Sequence, residues 1–173
     1  YDVVVDNADG GVGAYELTVA LDNATVASIT DVTVAGNPGL TDVSYAGDNS
    51  SVTISAALAN TDYTGAVSVA SIAVEGTAEG SSDLSVDAQA LGNENGDSYT
   101  VTDENGASIS VVDIPPVGDY PDPPTDPDDD GRYEDVNGDG EFDIVDVQAL
   151  FANLDDETIE NYPDAFDFNA DGT

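Results

Sequence analysis

The fold of the larger part of this chain follows from residues 14–22, which read Ala14-Tyr15-Glu16-Leu17-Thr18-Val19-Ala20-Leu21-Asp22. Apolar side chains alternate with polar or small ones, and a period of two is typical of a strand with one buried face. Residues 52–56 repeat the alternation, and further β-type runs lie at residues 3–5, 26–34, 67–74, 84–90 and 107–112. Turn-forming residues separate these runs at 9–11, 36–39, 47–49, 80–82 and 104–106. Short strands at this spacing predict that residues 1–113 form a mainly β domain, an antiparallel β-sandwich.

The composition excludes several classes of function. The chain of 173 residues has 37 Asp and Glu against one Lys or Arg, a formal net charge of -36. Nucleic acids and anionic lipid surfaces would repel such a chain. Without His or Cys, it has neither a zinc site of the usual ligands nor a thiolate nucleophile. We expect no enzymatic activity; paired carboxylates for glycoside hydrolysis are the weakest alternative, because nothing marks a cleft.

The charge also indicates the solvent. At molar salt the Debye length falls to about 3 Å, which screens repulsion that would destabilise a compact acidic protein in dilute buffer. We therefore predict a halophilic, haloarchaeal protein that is secreted and lies at the cell surface, with its signal peptide already removed and Tyr1 as a processed start. Disorder is the alternative for so acidic a chain, but the apolar alternation argues against it. No apolar run approaches the length of a membrane helix, and the sequons at Asn23 and Asn49 are candidate glycosylation sites.

Residues 114–127 hold most of the eight prolines. Proline favours polyproline II, so about 13 residues at roughly 3.1 Å each predict a semi-rigid linker about 40 Å long. Residues 128–173 follow as a second domain, in which apolar spacing predicts helices at 144–153 and 157–162, the latter stopped by Pro163. About 45 residues are too few to form a stable core without help, so we expect a metal ion to stabilise this domain.

Residues 135–146 supply that metal site. They place oxygen donors at loop positions 1, 3, 5, 9 and 12 and Gly140 at position 6, a pattern that suits calcium. The predicted ligands are Asp135, Asn137, Asp139, Glu141 through its carbonyl, Asp143 through water, and Asp146. We expect Phe142 to turn inward and tie the loop to the core. The alternative is an acidic surface turn.

A loop followed only by its exit helix is the pattern of dockerin repeats, and residues 135–154 resemble the first half of a dockerin. A second half begins with Asp167, Asn169, Asp171 and Thr173 at loop positions 1, 3, 5 and 7. The remaining positions are absent, so the chain is truncated, the rest is disordered, or a neighbour completes the site; we favour the first two.

Upstream, Asp126, Asp128 and Asp130 resemble the aspartate-rich calcium repeats of thrombospondin-type proteins. Glu134 or Asn137 would close a further site there. An acidic linker of like charges is an equal alternative.

The dockerin resemblance implies which residues meet a partner. Loop positions 10 and 11 face the partner in dockerins, and here they are Ile144 and Val145, with Gln148 on the same helix. The alternative is that both apolar residues are core. Dockerins bind cohesins, which are β-sandwiches, and residues 14–22 and 103–106 resemble the opening strand and last turn of a cohesin.

Together the two resemblances imply a calcium-dependent, extracellular structural protein. We expect it to assemble head to tail, the dockerin-like end of one copy docking on the cohesin-like sandwich of the next, because unlike surfaces on one chain form a heterologous, propagating contact. The alternative is a heterotypic module that attaches to a separate surface scaffold or to carbohydrate.

Overall fold

The computed structural model describes residues 1–61, 65–128 and 130–169. The chain divides into two compact units, Tyr1–Val112 and Asp113–Thr173. Within the described residues the first unit contains eight strands: β1 Asp2–Val5, β2 Ala14–Leu21, β3 Ala27–Val34, β4 Leu40–Tyr45, β5 Ser51–Ala57, β6 Val67–Gly76, β7 Gly80–Gly92 and β8 Ala107–Val111. Their pairings are antiparallel, in one sheet of order β1-β6-β3 and another of order β4-β5-β2-β7-β8. The predicted mainly β, antiparallel fold is confirmed.

The core of the sandwich follows the alternation of β2. Tyr15, Leu17, Val19 and Leu21 are each at most 7% exposed. The Tyr15 hydroxyl donates a hydrogen bond of 2.7 Å to the carbonyl of Val69, so β2 of one sheet is joined to β6 of the other. Burial raises the pKa of Tyr15 to about 12, because the ionised phenolate would lose its hydration.

Two features of the sandwich differ from the sequence prediction. Strand β4 was not predicted: it is an edge strand and most of its residues are exposed, so its sequence carries no alternation of buried apolar residues. Residues 80–82 are not a turn. They begin β7, where Gly80 and Ser82 pair with Val111 and Ile109 of β8, and this pairing overrides the local turn signal.

The second unit contains the two predicted helices. Helix α1 spans Ile144–Ala152 and helix α2 spans Glu157–Asn161, followed by a 3₁₀ turn at Pro163–Ala165. A small core joins them, made of Ile114, Val117, Val136, Ala149, Ala165 and Phe166. In the part of the chain that the structure describes, no helix is long and apolar enough to cross a membrane.

The proline-rich residues 114–127 do not form the predicted semi-rigid linker between the two units. Ile114 is 4% exposed and Val117 is fully buried in the core of the second unit. The Thr158 hydroxyl donates to the carbonyl of Pro116 at 3.2 Å, which fixes this segment to α2. The two aliphatic side chains beside the prolines thus add to the core that Val136, Ala149, Ala165 and Phe166 form in this unit. The unit therefore begins at Asp113 rather than at residue 128.

Candidate metal centre

Two glycines of the predicted calcium loop have left-handed backbone conformations, and they form its turn. Gly138 has φ +72° and Gly140 has φ +87°, conformations that residues with a Cβ adopt only with strain. At Gly138 a Cβ would also lie 2.4 Å from the carbonyl oxygen of Pro123. The turn between the predicted ligands thus requires glycine for its backbone conformation and, at Gly138, for space.

The side-chain oxygens at loop positions 1, 3 and 5 are oriented by backbone amides. The Asp135 carboxylate accepts from the amides of Asp139 at 3.1 Å and Gly140 at 2.8 Å. The Asn137 side-chain oxygen accepts from Asp139 at 2.8 Å, and the Asp139 carboxylate accepts from Glu141 at 3.0 Å. These bonds fix the three side chains along one turn of chain without using a basic residue.

Asp146 connects the end of the loop to its beginning. Its carboxylate accepts from the amide of Asn137 at 3.2 Å and from the amide of Asp143 at 2.8 Å. Asp143 caps α1 in return, accepting from the amide of Val145 at 2.6 Å. Asp146 is therefore both the N3 residue of the capping box of α1 and the predicted ligand at loop position 12.

The charges of the loop fit a divalent cation. Asp135 and Asp146 are both fully buried, and the groups that donate to them are neutral amides and one hydroxyl. The single basic residue, Arg132, forms its ion pair with Asp130 at 3.2 Å. Two buried carboxylates without a positive partner are costly. An all-oxygen donor set with this charge fits calcium, with Asn137, Asp139, Glu141 and Asp143 as the remaining predicted ligands.

Phe142 does not turn inward as predicted, since it is 58% exposed. The core position beside the loop is taken by Val136, which is fully buried with Val117 and Ala149. Phe142 therefore adds to the exposed apolar surface of this unit.

A second group of carboxylates lies just upstream. Oxygens of Asp126, Asp128, Asp130 and Glu134 lie within 4.8 Å of one another. Asp126 accepts from the amides of Asp130 and Gly131, as Asp135 does from the residues four and five positions after it. Burial raises the pKa of Glu134, and the neighbouring aspartates raise it further. Its Oε2 atom is buried, and none of the residues that the structure describes forms a hydrogen bond with it. The structure thus brings Glu134 to the predicted upstream site, and calcium there stays a prediction.

The second predicted half-loop is described only in part. The backbone carbonyl of Asp167 accepts from Arg132 Nε at 2.7 Å, and Asn169 is the last residue described. Asp171 and Thr173 lie outside the described residues.

The predicted partner-binding residues are exposed on α1. Ile144 is 65% and Val145 is 42% exposed, so neither is a core residue, and Gln148 is exposed as well. Phe151, three residues after Gln148, is 71% exposed. Ile144, Gln148 and Phe151 follow the spacing of one helix face, opposite the buried Asp146 and Ala149. This set is called the outer face of α1 below.

Both sequons lie at the surface of the first unit. The side-chain oxygen of Asn23 accepts from the amide and hydroxyl of Thr25. Asn49 is exposed with φ +55°. Glycosylation of either residue stays a prediction.

An apolar patch on the sandwich was missed from the sequence. Leu58 is 74% and Leu40 is 65% exposed, the two highest values among the large apolar side chains that the structure describes in this unit. Leu40 pairs with Ala57 in the β4–β5 ladder, and Leu58 follows Ala57 and lies over Gly39. Leu58 also has φ +58°, which is rare for leucine. The one signal of this patch in the sequence is that Leu58 stands between Ala57 and Ala59.

Comparison with known proteins gives similarities of fold. No protein-family model and no curated protein sequence matches this chain. Among solved structures, it is similar to a non-cellulosomal cohesin from the hyperthermophilic archaeon Archaeoglobus fulgidus, at 21% identity over 57% of this chain and 70% of that one, with a TM-score of 0.44. It is also similar to the cohesin module of a Clostridium perfringens family 33 glycoside hydrolase, at 10% identity over 58% and 75% of the two chains, with a TM-score of 0.40.

Proposed function

We propose that this chain is an extracellular, calcium-dependent assembly protein of a halophile. The outer face of α1 in one copy docks on the sandwich of the next copy. The observation that carries the proposal is that the helix bearing this face is continuous with the predicted calcium loop, because Asp146 belongs both to the loop and to the first turn of α1. Release of calcium would leave buried carboxylates to repel one another, so the loop and the first turn of α1 would lose their shape together.

Charge restricts which surfaces of two copies can meet. With 37 acidic residues and one basic residue, two copies repel each other wherever their carboxylates approach. The outer face of α1 carries no acid at its exposed positions 144, 148 and 151. Leu40 and Leu58 are also uncharged, and the acid next to them is Asp42, which lies two residues after Leu40 on the same side of β4. Contact between these two places buries apolar surface, which molar salt does not weaken.

The side of the five-stranded sheet beside the leucine patch carries both neutral and acidic residues. The outward residues of β2 and β5 include Thr18, Ala20, Thr53 and Ser55, and Ser55 lies between Glu16 of β2 and Asp42 of β4. The hydroxyls of Thr18 and Thr53 lie 3.1 Å apart, and Gln89 donates to Thr18 at 3.2 Å. We place the docking surface on this side of the five-stranded sheet, with Leu40 and Leu58 at its edge.

Analytical ultracentrifugation at molar salt tests the proposal. We expect the full chain to form a concentration-dependent series of oligomers in calcium and to be monomeric in excess chelator. Ile144→Asn should weaken association at least tenfold, since it removes about 1.5–2 kcal/mol of apolar burial. The matched control is Val4→Asn, an exposed apolar residue on the other sheet, which should associate as the parent does.

The same experiment separates the two functions considered. A chain that binds calcium and stays monomeric at all concentrations contradicts self-assembly and favours the heterotypic module. A chain that binds no calcium contradicts both.

A further inference from the structure

Thr125, in the proline-rich segment, contacts the first predicted calcium ligand. Its hydroxyl donates to the Asp135 carboxylate at 2.6 Å. The oxygen that accepts this bond, Oδ2, also accepts from the amide of Gly140. A short bond to a carboxylate is stronger than one between neutral groups, so Thr125 contributes to the orientation of a fully buried side chain.

The same residue holds the segment against the loop through its backbone. The Thr125 amide donates to the Asp135 carbonyl at 3.0 Å, and the Asp135 amide donates to the Thr125 carbonyl at 3.3 Å. Two residues earlier, the carbonyl of Pro123 lies where a Cβ on Gly138 would be. The proline-rich segment therefore packs against both the first ligand and the turn of the loop.

We infer that Thr125 is a positioning residue for the calcium loop, and that calcium in turn determines whether residues 114–125 stay packed on the second unit. This inference rests on the proposed calcium binding. A hydroxyl that pre-orients Asp135 lowers the cost of assembling the ligands. By the reciprocity of linked equilibria, a cation held by Asp135 stabilises the pairing with Thr125. Without it, repulsion opens the loop and releases the segment that carries Ile114 and Val117 from the core.

The test uses the full chain and two measurements, calcium affinity by calorimetry and amide exchange by NMR. Thr125→Val keeps the shape of an exposed side chain but removes the donor, and it should weaken calcium binding by about tenfold. Thr125→Ser should restore the parent affinity. The comparison variant is Thr158→Val. It removes the bond to the Pro116 carbonyl, which holds the same segment but does not touch the loop, so its calcium affinity should fall less than that of Thr125→Val.

Amide exchange reports the second half of the inference without any substitution. The amides of Gly118, Tyr120 and Thr125 donate hydrogen bonds within the second unit. Their exchange should speed up at least tenfold in excess chelator, while the amides of the sandwich stay protected. If the parent binds calcium but Thr125→Val binds it equally well, or the three amides exchange at one rate with and without calcium, the inference is wrong and the proposed function stands. If the parent binds no calcium, both are wrong.

Discussion

Replacing Leu58 by asparagine should make the monomer more stable and the assembly weaker. Leu58 holds φ +58°, a conformation that costs an ordinary residue about 1–2 kcal/mol and that asparagine adopts readily. At the same time it exposes 74% of its surface. Folding of the sandwich alone thus gives little reason for leucine at this position, whereas docking of an apolar helix gives one.

The magnitudes follow from the exposed and buried fractions. Full burial of leucine is worth about 1.5–3 kcal/mol, so the buried quarter, which lies over Gly39, contributes about 0.5 kcal/mol. Asparagine loses this contact but relieves the backbone strain, for a net gain of about 0.5–1.5 kcal/mol. Alanine loses the contact and keeps the strain, so Leu58→Ala should cost about 0.5 kcal/mol. Burial of the exposed part by a partner is worth about 1–2 kcal/mol, which predicts association weaker by about 5- to 30-fold for both variants.

Chemical denaturation in chelator, followed by circular dichroism, measures the stability of the sandwich, and sedimentation in calcium measures association. The opposite signs for asparagine and alanine isolate the backbone effect from loss of the side chain. If both variants destabilise the sandwich equally, the strain argument is wrong. If both associate like the parent, Leu58 does not belong to the docking surface.

Three further predictions concern the two units separately. Excess chelator should abolish the helical part of the circular dichroism spectrum and leave the thermal midpoint of the sandwich within about 2 °C of its value in calcium. A larger shift of that midpoint would contradict the expectation that only the second unit needs the metal to fold. Tyr15→Phe should cost about 1 kcal/mol at neutral pH through the lost bond to Val69. The pKa of Tyr15 is about 12 in the folded sandwich and 10.0 when unfolded. Stability that is present below pH 10 should therefore fall by about 2–3 kcal/mol as the pH rises to 12. Denaturation curves at both pH values should show this loss for the parent and not for Tyr15→Phe. In calcium, Glu134→Gln removes one carboxylate from the predicted upstream site, so the melting point of the second unit should fall by a few degrees; an unchanged or higher melting point would show that this carboxylate holds no cation.

The sequence predicted those parts of the fold in which a local pattern and burial agree. Tyr15, Leu17, Val19 and Leu21 alternate in the sequence and all lie in the core, because a strand has two faces and only one is buried. Helix α1 likewise begins at the predicted residue, since Asp143 and Asp146 form a capping box there. Where the sequence pattern and the burial agree, buried residues at every second position predict a strand. Buried residues at every third or fourth position predict a helix.

The sequence failed where the environment of a residue depends on a distant part of the chain. Ile114 and Val117 stand among prolines, so their composition predicts an extended linker, yet they fill a core completed by Val136 and Ala149 more than fifteen residues later. The strained backbone of Leu58 has no signal in its neighbours, and the contact of Thr125 with Asp135 spans ten positions. Such relations follow from tertiary packing, which periodicity does not report.

The two units differ in what stabilises them, and this difference makes the proposed assembly controllable. The sandwich buries an extensive apolar cluster between its sheets, so we expect it to fold without an ion and to present the proposed docking surface at any calcium concentration. Among its described residues the second unit buries a cluster of six apolar side chains and also two carboxylates, Asp135 and Asp146, so we propose that its stability depends on a cation. Removal of calcium should therefore disrupt only the outer face of α1 and leave the docking surface on the sandwich of every copy intact. Assembly should resume on return of calcium without refolding of the sandwich, which a reversible cycle of chelation and calcium addition in the ultracentrifuge would show.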